Sequence, residues 1–574
     1  MLSETKNCQN CKQDFIIEPD DFAFYEKIKV PVPTWCWSCR MARRMNFRNE
    51  RTLYKRKCDA PGHNEEIFSA YVSGDGVVYD QKYWWGDSWS AMDYGKEYDF
   101  SKSFFEQFKD LFTKVPKSNL TNKNNIDCEY ANWLDDSKNC YLAFGGGYDE
   151  NVFYANRPFY CKDSVDNYFC NKVEFCYENV NCQNSYKLSF GENCNNCVES
   201  FLMYDCKNCS NCFGCVGLRN KQNCIFNVQY SKEDYEQKLG DINFSSFKNL
   251  IESKKDFEKL KLKYPRKFAN VINVQNTTGD YILDAKNCHY VFDCTDGKNE
   301  DSKFGFWVGS GMRDMYDGVA CGVRGELLYE NVSAALSVAK VYFSIQIRES
   351  KNIYYSVECH NSSNLFGCVG LRSKQYCILN KQYTKEEYEA LVPKIIQHMN
   401  DMSYTDKKGR IYKYGEFFPS ELSPFYYNET IAQEYFSLTK EQAIEQGYNW
   451  KDKEERNYTI NIKNEDIPDD INNIKEDIVS KVLECAHKGK CNEQCTEAFK
   501  IIPQELQFYK KMNLPLPRLC PNCRHYNRLA QRNPLKLWHR KCMHEGCPNE
   551  FETSYAPDRP EIIYCEGCYN NEVA

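Results

Sequence analysis

The feature that most restricts the fold of this chain is a recurrence of small or apolar residues every twelve positions between residues 128 and 224. One series runs through Cys128, Cys140, Val152, Ser164, Cys176, Leu188, Ser200, Cys212 and Cys224. A second series, displaced by six residues, runs through Leu134, Gly146, Pro158, Cys170, Cys182, Cys194, Cys206 and Leu218. A coil of about twelve residues would place one inward side chain on each of two short strands. We therefore expect a narrow β-solenoid whose corners carry Asn, Asp and Gly.

A second copy of this pattern follows in the chain. Asn364 to Tyr388 repeats Asn211 to Tyr235 at an offset of 153 (364 − 211), with 18 of 25 residues identical. The twelve-residue step is looser near Cys288 and Cys321. Each copy ends in a capping-box pattern, which predicts a helix over the open sheet edge. These patterns begin at Ser231 and Thr384. The predicted fold is mainly β, with small zinc ribbons and two cysteine-rich β-solenoid blocks of about 12-residue coils flanked by capping helices.

The cysteines of the first block have two interpretations. Cys194-x2-Cys197 and the run from Cys206 to Cys215 have the spacing of metal ligands. The second copy, however, places Ile347, Ser350, Ser362 and Leu365 opposite Cys194, Cys197, Cys209 and Cys212. Such replacements preserve size rather than thiolate chemistry, and free cysteine behaves as a small hydrophobe. We favour core cysteines and leave metal binding there as the alternative.

Both ends of the chain carry cysteine pairs with the spacing of zinc knuckles. Cys8-x2-Cys11 and Cys36-x2-Cys39 together supply four thiolates, which complete a tetrahedral shell. The C-terminus repeats this pattern with Cys491-x3-Cys495 and Cys520-x2-Cys523. From Cys11 and Cys495 onward, matching positions of the two ends are separated by a constant offset of 484 (495 − 11). The extra residue in the Cys491 knuckle leaves Cys485 or His487 as alternative ligands, of which we favour Cys491.

These residues resemble the bacterial "probable zinc-ribbon" family, which is treble-clef-like. The F-Y-x-K…P…C-x-x-C-R pattern carries the resemblance over about 35 residues at each end, and Trp37 stands where that family usually has Pro. The whole chain also resembles uncharacterised bacterial proteins that join zinc ribbons to cysteine-rich repeats. The resemblance implies these ligands: Cys8, Cys11, Cys36, Cys39, Cys491, Cys495, Cys520 and Cys523.

A further zinc site is predicted in the C-terminal module. Its ligands would be Cys542, Cys547, Cys565 and Cys568. The N-terminal copy aligns Cys58 and His63 with the first two, but it has no cysteines opposite the other two. We interpret that copy as a decayed site, with a weak fourth metal at Cys58, His63 and Asp80 as the alternative. The complete shells predict about three Zn²⁺ ions per chain.

These features divide the chain into eight segments. We predict an N-terminal zinc-ribbon module at 1–90, a helical connector at 91–126, the first solenoid block at 127–230, a helical cap at 231–265, the second block at 266–383, a second cap at 384–400, a linker at 401–470 and a double zinc-ribbon module at 471–574.

A basic stretch follows the second knuckle of each end module. Its arginines recur every four residues, so a helix would present them on one face. They are Arg40, Arg44, Arg48, Arg524, Arg528 and Arg532. Arginine suits phosphate contact, which predicts nucleic-acid binding with RNA and DNA undecided. The alternative is a helix face whose arginines pair with acidic residues of this chain, which carries a net charge of −7.

The remaining composition excludes several classes of protein. No window approaches the roughly 18 apolar residues of a membrane span, and the start lacks a signal peptide, so we expect a cytoplasmic protein without a membrane partner. The 33 cysteines then indicate reduced thiols and metal ligands. No catalytic motif is found, so we expect no enzyme. The predicted function is zinc-dependent nucleic-acid binding, with a zinc-stabilised protein-interaction scaffold as the alternative.

Overall fold

The computed structural model describes residues 2–74, 76–294, 297–453 and 458–573. Across these residues the fold is mainly β, with 33 strands and twelve α-helices. Within the same ranges, no helix combines the length and the apolar composition that crossing a bilayer requires.

The N-terminal module is built from two small hairpins and short helices. The first hairpin pairs Glu4 with Ile17, and the second pairs Tyr54 with Ser69. Its elements are β1 (Glu4–Asn7), β2 (Asp14–Ile17), α1 (Pro19–Ile28), α2 (Trp37–Met45), β3 (Tyr54–Lys57), β4 (Glu66–Ser69), β5 (Val78–Tyr79), α3 (Gln81–Trp85), α4 (Phe104–Lys114) and β6 (Lys117–Ser118).

The first repeat block stacks parallel segments in which each residue lies opposite the residue twelve positions later. Ile126 pairs with Lys138, and Lys138 pairs with Glu150. The longer segments are β7 (Glu150–Phe153), β8 (Lys162–Val165), β9 (Tyr186–Glu192), β10 (Val198–Tyr204), β11 (Ser210–Val216), β12 (Gln222–Ile225) and β13 (Val228–Gln229). This register has the predicted twelve-residue step.

The shape of each coil differs from the predicted pair of short strands. Every third residue from Asn124 to Phe226 has φ between 45° and 70°, so the backbone turns four times in twelve residues. The residue after each turn is directed inward, which adds two inward columns to the two predicted. Ala131, Ala143 and Ala155 begin one of them, and Ser137, Asp149 and Cys161 begin the other; all six are buried. These small or polar residues hid the three-residue period in the sequence.

The interior of the block leaves little room for side chains where neighbouring coils approach each other. A Cβ on Gly146 would lie 2.1 Å from the carbonyl oxygen of Pro158 in the next coil. Small inward side chains and thiols fill such a space, as the cluster of buried cysteines, alanines and valines shows. The interior therefore selects residues by volume.

The second block repeats this arrangement in one twelve-stranded sheet. Its step varies from 11 residues between Val271 and Ile282 to 14 between Ala285 and Asn299, and returns to 12 from Ala339 onward. The strands are β14 (Arg266–Lys267), which pairs outside this sheet, β15 (Val271–Gln275), β16 (Gly279–His289), β17 (Val291–Cys294), β18 (Asn299–Lys303), β19 (Phe306–Val308), β20 (Met312–Cys321), β21 (Gly325–Val332), β22 (Val338–Tyr342), β23 (Lys351–Tyr354), β24 (Ser363–Phe366), β25 (Gln375–Ile378) and β26 (Lys381–Gln382).

Helices follow both blocks at the predicted capping residues. Ser231 accepts a hydrogen bond from the backbone N–H of Asp234 at 3.1 Å, and Thr384 accepts one from Glu387 at 3.2 Å. The helices are α5 (Lys232–Gly240), α6 (Phe247–Lys261) and α7 (Lys385–Asp401). Helix α5 packs on β12 and α7 packs on β25, so each covers the last parallel strand of its block.

The C-terminal part of the chain begins with short elements that lead into two further hairpins. They are β27 (Tyr404–Thr405), β28 (Ile411–Tyr412), α8 (Ile431–Tyr435), α9 (Lys440–Glu445), β29 (Leu483–Glu484), β30 (Ala498–Phe499), α10 (Pro503–Met512), α11 (Pro521–Leu529), β31 (Trp538–Lys541), β32 (Glu550–Thr553), β33 (Ile563–Tyr564) and α12 (Glu566–Val573).

The two end modules pack crosswise. Helix α2 of the N-terminal module contacts β20 and β21 of the second block. From the C-terminal module, Arg528 on α11 donates to Asp166 and to the carbonyl oxygen of Tyr154 in the first block. The helix after the second cysteine pair of each end module thus packs on the block that is farther away in sequence.

Candidate metal centres and the arginine helices

The first candidate centre joins the β1–β2 hairpin to the start of α2. Cys8 follows β1, Cys36 caps α2 and Cys39 lies in its first turn. With Cys11 they form a set of four sulfur atoms that all lie within 4.8 Å of one another. The sulfur atoms of Cys11 and Cys36 are 3.8 Å apart. A tetrahedral Zn²⁺ with Zn–S bonds of about 2.3 Å has edges of about 3.8 Å, so this set fits zinc.

Hydrogen bonds around this centre favour thiolates. The backbone N–H of Cys36 donates to the sulfur of Cys8 at 3.2 Å, and the Asn10 amide donates to Cys39 at 3.4 Å. Hydrogen bonds from the Cys36 and Cys39 side chains lower the pKa of the Cys8 thiol, against the effect of burial. Metal ligands are commonly oriented in this way by neighbouring donors.

The second candidate centre corrects one predicted ligand. The set of four sulfur atoms within 4.8 Å contains Cys485, Cys495, Cys520 and Cys523, whereas Cys491 is outside it. Cys485 follows β29 and its backbone N–H donates to Glu497 O, as that of Cys8 donates to Gln13 O after β1. Cys485 is therefore the counterpart of Cys8, and the loop before Cys495 is longer than the loop before Cys11. The cysteine spacing allowed Cys485 as an alternative ligand, but it did not predict strand β29, which positions Cys485.

The same kinds of contact surround this second set. The sulfur atoms of Cys520 and Cys523 are 3.5 Å apart, and those of Cys485 and Cys523 are 3.9 Å apart. The backbone N–H groups of Cys520 and Glu497 donate to the sulfurs of Cys485 and Cys495. Hydrogen bonding with Cys485 brings the pKa of the Cys495 thiol down to about 6. This set has the geometry and the donors of a metal-thiolate centre.

The third candidate centre contains the four residues predicted for it. Cys542, Cys547, Cys565 and Cys568 lie within 4.8 Å of one another by their sulfur atoms, with 3.8 Å between Cys547 and Cys565. Burial acts to raise the pKa of Cys565, but hydrogen bonds led by the Asn549 amide outweigh it and bring the pKa to about 6. Three sets of four cysteines agree in number with the predicted three metal ions.

The aligned position in the N-terminal module lacks such a set. Cys58 follows β3, and its sulfur accepts hydrogen bonds from the backbone N–H groups of Ala60 and Asp80. The Asp80 carboxylate instead accepts from Lys82, and the His63 ring packs edge-on against Tyr83 at 4.8 Å. In the part of the chain that the structure describes, no three ligand atoms converge around Cys58. The arrangement agrees with a decayed site.

The cysteines of the first block form no comparable set in the described residues. Their thiols donate to backbone carbonyls, as Cys194 does to Glu192 at 3.4 Å and Cys206 does to Cys215 at 3.5 Å. Ile347, the counterpart of Cys194, is fully buried in the second block. These observations favour neutral thiols that fill the core.

The arginines of α2 lie inside the molecule. Arg40 donates to Asp317 at 3.0 Å, and Arg44 donates to Asp317 at 2.9 Å and to Glu330 at 3.0 Å. Arg43, which the sequence did not single out, bridges Glu330 and Glu416. Burial opposes the charge of Arg40 and the carboxylates favour it, with the result that its pKa is raised.

Two arginines of α11 repeat this arrangement on the first block. Arg524 and Arg528 both donate to Asp166, at 2.7 and 2.8 Å, and Arg524 also donates to Glu505 at 3.1 Å. Arg532, which follows α11, pairs instead with Asp293 of the second block. Neither Asp166 nor Asp317 was predicted, because aspartates recur at many corners of the coils and these two are 151 positions apart instead of 153 (317 − 166).

This burial corrects the predicted nucleic-acid residues. Of the six arginines, none has more than 6% of its side chain exposed. Arg48, the remaining one, donates to Glu50 and stacks over the Trp133 ring at 3.7 Å. A phosphate has no access to any of these guanidinium groups in the folded chain, so the alternative, pairing within the chain, is what the structure shows.

Comparison with known proteins gives no relative for this chain. No family model, no curated protein and no solved structure matches it.

Proposed function

We propose that this protein is a zinc-stabilised scaffold, in which ribbons at both ends clamp two cysteine-rich β-solenoids together. The ribbons are proposed as members of the zinc-ribbon family that their knuckles resemble. The observation that carries the proposal is the position of the buried arginines: each set lies on the helix that a metal centre begins, and it pairs with carboxylates of the distant block.

The metal and the clamp are linked by the helix. Cys36 caps α2 and Cys39 lies within it, while Arg40, Arg43 and Arg44 follow directly. Four thiolates leave zinc no open coordination position, so its role is structural. Loss of the ion releases the start of α2, and the arginines then lose the orientation that pairs them with Asp317 and Glu330. Because structural zinc contributes folding free energy, removing it is expected to open the contact between ribbon and block.

The clamp depends on buried rather than surface charge. Asp317 and Glu330 are fully buried, as are the arginines that they accept from. Salt screens such pairs weakly. The assembly is therefore expected to persist at ionic strengths that dissociate complexes held by exposed charges.

Metal removal tests the proposal directly. The purified protein is expected to contain zinc by elemental analysis, and a chelator is expected to expand it in small-angle X-ray scattering. Cys39→Ser should cause the same expansion, since Cys39 belongs to a complete set. Cys58→Ser is the control, because Cys58 follows a hairpin strand as Cys8 does but has no ligand set around it among the described residues. A compact, metal-free protein with an unchanged scattering profile would refute the proposal.

A second candidate function is binding of a single-stranded nucleic acid, which a cleft beside the second block favours. The cleft has a volume of 820 Å³ and is lined by Trp85, Lys123, Arg348, Arg372 and Lys374, among others. Arg348 is half-buried at the wall of this cleft. The Trp85 ring is 44% exposed. Exposed aromatic rings beside cations suit stacked bases and phosphates.

Binding to labelled single-stranded RNA and DNA at two salt concentrations tests this candidate. Arg348→Glu with Lys374→Glu should abolish binding, and the exposed pair Lys248→Glu with Lys255→Glu on α6 serves as the charge-matched control. Binding should weaken with salt by a slope of about −0.7 per neutralised phosphate. If the unmodified protein binds neither polymer at low salt, the scaffold remains as the proposed function.

A further inference from the structure

The long loop of the C-terminal ribbon brings a second group of ligand atoms to the second metal centre. His487, Cys491, Glu493 and Cys523 each offer one ligand atom, and these atoms all lie within 4.8 Å of one another. Cys523 belongs to this group and also to the set formed with Cys485, Cys495 and Cys520. The N-terminal ribbon has only Gln9 and Asn10 between Cys8 and Cys11, so it lacks the insertion that supplies these residues.

Two of these atoms lie side by side. His487 Nδ1 and Glu493 Oε2 are 3.1 Å apart, within ion-pair distance, and both atoms are buried although neither has a hydrogen-bond partner. Buried polar atoms normally find a partner. Zinc bonds to nitrogen and oxygen of about 2.0–2.2 Å give a tetrahedral edge of about 3.4 Å, close to the observed separation. The two atoms are therefore placed as neighbouring ligands of one ion.

The sulfur atoms complete the same geometry. Those of Cys491 and Cys523 are 3.7 Å apart, against about 3.8 Å for the edge between two thiolates on zinc. A set of two sulfurs, one imidazole nitrogen and one carboxylate oxygen suits zinc, which accepts all three donor types. Cys491 also lines an open cleft with a volume of 570 Å³, through which an ion can reach the site.

We propose that the Cys523 thiolate bridges two zinc ions in the C-terminal ribbon. One ion is held by Cys485, Cys495, Cys520 and Cys523, and this part rests on the proposed structural zinc. The other is held by His487, Cys491, Glu493 and Cys523. Two Zn²⁺ ions, five thiolates and one carboxylate give the cluster a net charge of −2, the same as one Zn²⁺ with four thiolates. The protein then holds four ions, and the ion at Cys491 is the more accessible one.

Zinc stoichiometry of variants of the full chain tests the bridge. The unmodified protein should hold four ions, and Cys491→Ala or His487→Ala should hold three with an unchanged circular dichroism spectrum. Cys523→Ala should lose two ions, whereas Cys39→Ala, its counterpart in the N-terminal ribbon, should lose one. Because Cys523→Ala also removes a structural ligand, the half-exposed Cys491 provides the variant that keeps the first set intact.

The other outcomes separate the two proposals. Three ions in both the unmodified protein and Cys491→Ala would overturn the bridge and leave the structural zinc intact. A fall from three ions to two in Cys491→Ala would also overturn it, because Cys491 would then be a ligand of a single ion. Cobalt substitution adds a spectroscopic check, since Cys491→Ala should reduce the thiolate-to-cobalt charge-transfer band of the unmodified protein. An unchanged band would count against the bridge.

Discussion

Asp166 is the carboxylate that accepts hydrogen bonds from two arginines of α11, and its replacement by Asn tests the buried ion pairs that hold α11 on the first block. It is fully buried and accepts from Arg524 at 2.7 Å and from Arg528 at 2.8 Å. With Glu505, which accepts from Arg524, the group contains two carboxylates and two guanidinium groups and is neutral. Asp166→Asn leaves one positive charge without compensation in the interior.

The structure gives the size of the effect. Burial acts to raise the pKa of Asp166 and the two arginines act to lower it, with burial the larger cause. The intact group therefore adds little net stability, because desolvation offsets the attraction. Breaking a buried pair by removing one partner costs about 3–5 kcal/mol. The double variant Asp166→Asn, Arg528→Met keeps Arg524 with Glu505 and restores neutrality, so it should recover at least half of that loss.

Urea unfolding followed by ellipticity and by zinc release measures both variants. For a urea dependence of about 1–3 kcal/mol per molar, Asp166→Asn should lower the midpoint by roughly 1–5 M. Glu199→Gln removes the exposed pair with Lys187 and should leave the midpoint unchanged. A loss below about 1 kcal/mol for Asp166→Asn, or a double variant less stable than the single one, would refute the argument from buried charge.

Three further predictions follow from the same structure. Replacing four buried arginines by Glu should unfold the ribbons and release zinc, measured by a chromogenic chelator, because it places like charges beside buried carboxylates; a folded, zinc-loaded variant would contradict this. The four are Arg40, Arg44, Arg524 and Arg528. Cys194→Trp should lower the free energy of unfolding by about 1–3 kcal/mol or more, while Cys194→Ile should be tolerated, as Ile347 is; equal losses would indicate a thiolate role. Burial and two nearby arginines lower the pKa of His360 to about 3. The neutral imidazole therefore contributes stability above pH 6.5, and this contribution is lost as the pH falls from about 6.5 towards 3. The loss in the free energy of unfolding should reach about 2 kcal/mol at pH 5, and His360→Gln should remove this pH dependence of stability. An unchanged pH dependence in His360→Gln would show that the folded chain binds the proton as well as the unfolded chain does.

The spacing of apolar residues predicted the register of the repeat blocks better than their cross-section. The step of twelve recurs because residue i must face residue i + 12 in the next coil, and that constraint leaves Cys, Val and Leu at intervals along one column. The other two columns carry residues such as Ala131 and Ser137, which are equally buried but common everywhere in proteins. The three-residue period was therefore hidden by composition.

The metal centres were predicted to the extent that short-range spacing decides them. Cys520 and Cys523 belong to one helical turn, so their separation in sequence places both sulfurs on one ion. The position of Cys485 depends instead on the pairing of β29 with β30. Strand β29 has only two residues, which is too short to be predicted from the sequence pattern. The same limit explains the arginines: the helical face was evident from the sequence, but the carboxylates that occupy it lie far away in the chain.

The crosswise packing has a consequence for how the protein is made. Asp317, which pairs with Arg40, is synthesised 277 residues after it, and Glu330 follows Arg43 by 287 residues. When the N-terminal ribbon leaves the ribosome, Arg40, Arg43 and Arg44 do not yet have the carboxylates that they pair with in the folded chain, whereas the C-terminal ribbon emerges when Asp166 has already been synthesised. The C-terminal ribbon can therefore pair its arginines as soon as it is synthesised, whereas the N-terminal ribbon cannot. The nascent chain carries an exposed basic helix until more than half of it has been translated.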